Sequence, residues 1–68
     1  MDIENIFTYH PPTKDQKLRY EAIREDAKKL AQTIVNQTPP CADQTAAIRK
    51  LREAVMTANA AIALDGKL

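Results

Sequence analysis

The 68-residue sequence has one cysteine, one glycine, one histidine and no tryptophan. One cysteine makes no internal disulfide, and Cys41 with His10 is too small a set of soft ligands for a structural zinc site within one chain. A single glycine excludes a Gly-rich phosphate loop. No apolar run is long enough to span a bilayer, and no basic-then-apolar leader opens the chain. Charge of one sign is also scarce: 10 Lys+Arg oppose 9 Asp+Glu, for a formal net charge of +1. Binding to DNA or RNA polymers relies on a strong basic excess on one face, which this chain lacks. A free thiol without an export signal points to a reducing cytoplasm. A core of this size supplies only about 3–5 kcal/mol unless it is stapled, and without metal or disulfide the expected staple is a second copy.

What the sequence does have is alanine, eleven of them, and helix punctuation. Pro11-Pro12 and Pro39-Pro40 cannot sit inside helices, because proline lacks the amide donor and restricts the residue before it. The reading is a single all-α domain over residues 1–68: an extended N-terminal arm (1–12), a helix over about 14–36, and a helix over about 41–64. Thr13 with Gln16 three residues on is a capping box that starts the first helix. Tyr20, Ile23, Ala27, Leu30, Ala31 and Ile34 form its apolar stripe, and Ile48, Leu51, Val55, Ala58 and Ile62 that of the second. A turn as short as that at 37–40 makes the two helices antiparallel neighbours.

The second helix has apolar residues to spare. From Ala54 to Leu64 no residue is charged, and Met56, Ala60, Ala63 and Leu64 project away from the stripe. A helix apolar on all sides is normally buried, and one hairpin partner cannot cover it. The expectation is a homo-oligomer with this segment at its centre.

Three groups of residues could carry chemistry. Phe7, Tyr9 and His10 cluster in the arm, where Tyr9 offers a face for a base and a hydroxyl for a phosphate. The alternative is that Phe7 and Tyr9 tack the arm onto the hairpin and His10 is solvated. Lys17, Arg24 and Lys28 share one edge of the first helix and suit an anion, or are simply solvated. Arg49, Arg52, Met56 and Asn59 lie along a second face of the other helix, at a subunit rim or in a pocket where subunits meet. No enzyme signature is present: His10 has no nucleophile at a defensible spacing, and the carboxylates are spread through charge-paired helix surfaces.

Three segments taken together, Phe7-Thr8-Tyr9-His10-Pro11-Pro12, Arg19-Tyr20-Glu21-Ala22-Ile23-Arg24 and Glu53 through Ala63, make the sequence similar to the small helical-hairpin family of phage anti-defence proteins. The similarity runs from about Ile3 to Ala63. Members counter the CBASS and Thoeris immune systems by sequestering their cyclic nucleotide signals. The resemblance implies a non-catalytic homohexamer, without cofactor, acting in the cytoplasm of an infected bacterium. It implies that Tyr9 stacks on a cyclic dinucleotide held between subunits and that Arg24 supplies the basic contact. Some members bind cyclic trinucleotides at a second site, for which Arg49, Arg52, Met56 and Asn59 are the candidates. Members that bind gcADPR often carry an additional N-terminal region, and the family pattern has a basic residue where Ile6 stands; both weigh against gcADPR. The competing expectation is a helical hairpin that only oligomerises or docks on another protein.

Overall fold

The computed structural model describes residues 1–9 and 11–65. Within them the chain forms α1 (Ile3–Phe7), α2 (Lys14–Gln37) and α3 (Ala42–Ala63), with no strand. α2 and α3 pack as a helical hairpin, and the backbone of α1 approaches neither.

α1 corrects the expectation of an arm extended throughout. The Asp2 carboxylate caps it by accepting from the Asn5 N–H at 3.1 Å, and Glu4 lies in its first turn, where a negative charge is favoured. The chain becomes extended only at Thr8. A diproline constrains itself and the residue before it, and its influence does not reach back to Ile3.

α2 begins at the capping box: Gln16 N–H donates to Thr13 Oγ1 at 3.1 Å, and Thr13 N–H donates to Gln16 Oε1 at 3.0 Å. α3 starts after Cys41, whose side chain makes no capping bond, and ends at Ala63 with Leu64 as its cap. Two glutamines clasp the hairpin at its ends. Gln16 Nε2 donates to the Ile62 carbonyl at 3.1 Å. At the turn, Gln44 Nε2 reaches Thr38 O and Thr38 Oγ1, both at 3.1 Å, and Val35 O at 3.3 Å. These contacts fix the register: residues equidistant from Pro39-Pro40 lie level, so Lys28 is level with Leu51 and Arg24 with Val55.

Most of the expected stripe is half-buried, but Leu30 is 50% exposed. Leu64, expected on the outer face, is instead the one buried hydrophobic residue among those described, at 8% exposure, and Ala63 is half-buried. Leu64 keeps an αR backbone (φ −91°, ψ 0°) and its N–H still reaches the Ala60 carbonyl, so its burial is not a change in backbone direction. The hairpin alone is therefore nearly coreless. The Cα radius of gyration of the whole chain is 14.7 Å, against roughly 11 Å for a compact chain of this length. Its accessible surface is 5632 Å², about a third above that of a compact monomer of its mass.

Candidate ligand groove

Along one side of the hairpin the two helices leave a groove of about 280 Å³. Arg24 and Lys28 from α2 and Arg52 and Met56 from α3 form its rims, and Ala27, Ala31, Ile48, Leu51 and Val55 its floor. The α2 residues reach it because Arg24 and Lys28 are one turn apart, and the α3 residues because Arg52 and Met56 are.

The cations differ in availability. Lys28 Nζ lies 3.6 Å from Glu25 Oε1, an exposed pair of little energetic weight that still places a carboxylate beside the ammonium. Among the described residues, Arg24 and Arg52 form no ion pair; the other pair, Arg19 with Asp15 at 3.0 Å, lies outside the groove. Two free guanidiniums on an apolar floor suit an anion with a planar apolar body. Arg binds phosphate through paired hydrogen bonds, and the floor removes ring surface from water.

The sequence placed Arg24 with Lys28 and Arg52 with Met56 on separate faces of separate helices; the fold joins all four. The signal was available in the register about Pro39-Pro40. Arg49 stays outside this groove, in a neighbouring pocket of about 400 Å³ that it shares with Arg52, Glu53 and Met56. Asn59 does not line the groove, and its Oδ1 is buried without a hydrogen-bond partner. Phe7 and Tyr9 are 83% and 81% exposed and line no part of it. His10 lies outside the described residues.

The opposite side of the hairpin holds a second groove, of about 310 Å³, lined by Ile23, Leu30, Ala54 and Ala58 with Asp26 at its edge. Leu30 owes its exposure to this position. Among the described residues, no group of three His, Cys, Asp or Glu side chains converges to hold a metal, and no helix is long and apolar enough to cross a membrane.

The profile of the Acb2/Tad1 hairpin domain matches residues 1–63. The chain belongs to the Acb2/Tad1 hairpin-domain family. That family is one of phage anti-defence binding domains, known for binding cyclic nucleotide signals. No curated protein matches the chain, and no solved structure does.

Proposed function

We propose that this Acb2/Tad1 hairpin protein binds and sequesters cyclic dinucleotides, and cyclic trinucleotides at a second site, without cleaving them. Withdrawing these signals in the cytoplasm of an infected bacterium blocks activation of CBASS-type effectors. The observation that carries the reading is the groove in which the guanidiniums of Arg24 and Arg52, free of ion pairs among the described residues, border an apolar floor.

A groove of about 280 Å³ is small for such a ligand, since pockets that bury most of a ligand run roughly 300–1000 Å³. Apposition of copies enlarges it. The exposed apolar side chains Ile3, Phe7, Leu18, Leu30, Val35 and Met56 give those copies surface to bury, and the assembly proposed is a homohexamer. In it, Tyr9 of one copy stacks on a base in the groove of another, with Phe7 and His10 beside it in sequence. Arg49 and Asn59 belong to the proposed trinucleotide site. No catalytic step is assigned to any residue.

Titration calorimetry with cyclic di-AMP, cyclic di-GMP, cyclic GMP–AMP and cyclic tri-AMP tests the reading, followed by denaturation and chromatography of the released ligand. The expected result is saturable binding of at least one dinucleotide and recovery of the intact ring. No binding across the panel replaces the reading with a protein-interaction hairpin. A linear product that grows with time replaces it with an enzyme.

A further inference from the structure

We infer that Arg52 is the second cationic arm of the cyclic dinucleotide site, acting from the same chain and the same groove as Arg24. The inference rests on the reading that this groove takes a cyclic dinucleotide. It differs from the sequence expectation, which kept Arg52 for a trinucleotide site on another face.

The argument starts from charge. A cyclic dinucleotide carries two phosphodiesters on opposite sides of one ring, each with one negative charge. A groove that met one phosphate and enclosed the other unpaired would incur a large desolvation penalty. The groove has a cation on each wall: Arg24 on α2 and Arg52 on α3. Lys28 is the weaker partner, because Glu25 stands 3.6 Å from its ammonium. Arg52 forms no ion pair among the described residues, although Glu53 lines the neighbouring pocket with it.

The register places the second arm. Arg52 is level with Ala27, between the levels of Lys28 and Arg24, and alanine there leaves the space between the two guanidiniums open. Met56, one turn beyond Arg52 and 59% exposed, adds a polarisable thioether on the same wall for the face of a base. The site thus draws its two anion contacts from one hairpin.

The test compares Arg52→Ala and Arg52→Gln with Lys50→Ala, by titration with every cyclic dinucleotide of the panel that the parent protein binds. Lys50 is the control for net charge: it is exposed and lies two residues earlier, about 160° round α3 and outside the groove. Both Arg52 variants are expected to weaken binding about tenfold or more, the loss of a charge-assisted hydrogen bond. Lys50→Ala should stay within about twofold, and Arg52→Lys should recover part of the loss by keeping the charge. Circular dichroism and sedimentation check that the assembly is intact, and Gln keeps most of the side chain's length. If Arg52→Ala and Arg52→Gln bind as Lys50→Ala does while Arg24→Ala is weakened, the inference is wrong and the cyclic dinucleotide reading stands. If the parent binds no cyclic nucleotide, the reading falls and the inference with it.

Discussion

Gln16 holds two elements at once. Its amide oxygen accepts from the Thr13 N–H at 3.0 Å, closing the capping box, and its amide nitrogen donates to the Ile62 carbonyl at 3.1 Å, tying the start of α2 to the end of α3. The two ends of a side-chain amide thus separate local from tertiary stabilisation. Gln16→Ala should remove both and destabilise the protein by roughly 2 kcal/mol, about 1 for the cap and about 1 for the clasp. Gln16→Glu keeps the acceptor and loses the donor, so it should show about half that loss. Urea unfolding at one fixed protein concentration measures both, since assembly makes apparent stability concentration-dependent. Equal losses in the two variants would assign all of the effect to the clasp.

Asn59 makes the opposite case. Its Oδ1 is buried with no hydrogen-bond partner, and a buried acceptor without a partner costs about 1–3 kcal/mol. Asn59→Leu keeps the branching of the side chain, removes the orphan oxygen and improves helix propensity. Thermal unfolding of this variant should shift upward. A downward shift would mean that a neighbouring copy or a ligand satisfies Asn59 in the assembled protein.

Ala61 tests the assembly itself. It is exposed in the isolated hairpin, so a glutamate there has water around it and should leave the hairpin's own packing unchanged. Where copies meet over the apolar end of α3, the same charge is buried without a partner, which is severely unfavourable. Ala61→Glu is therefore expected to sediment as a smaller species than the parent. Unchanged sedimentation would move the interface away from this end of α3.

The legible parts of the fold were those set by local rules. Spacing marked the apolar stripes of α2 and α3, and Thr13 with Gln16 marked where α2 starts. α1 was legible in principle from Asp2 as a cap and Glu4 in the first turn, but the pull of Pro11-Pro12 was extended over residues it does not touch. Leu64 and Ala63 were misplaced because a helical wheel orders side chains about α3 alone and says nothing of what the rest of the chain brings beside its end. The clasps by Gln16 and Gln44 were not legible, since each depends on what the other helix brings alongside. The groove sits between these cases. Arg24 and Arg52 are 28 residues apart in sequence, and only the register about Pro39-Pro40 makes them neighbours.

The last expectation concerns how Tyr9 and Arg24 divide the ligand between them. Tyr9 is 81% exposed on a segment that the hairpin does not cover, so replacing it should leave the fold intact and any loss of affinity reports contact. If its ring stacks on a base, Tyr9→Ala should lose roughly 1–3 kcal/mol of cyclic dinucleotide binding, whereas Tyr9→Phe should retain most of it. If its hydroxyl bonds a phosphate instead, Tyr9→Phe should fall nearly as far as Tyr9→Ala. Arg24→Ala should lose a charge-assisted contact of about 1.5–3 kcal/mol, and its loss should shrink as salt rises while that of Tyr9→Ala should not. Titrations of the three variants at two ionic strengths distinguish these patterns. Parent-like affinity in both alanine variants would take the ligand away from the arm and from α2 together.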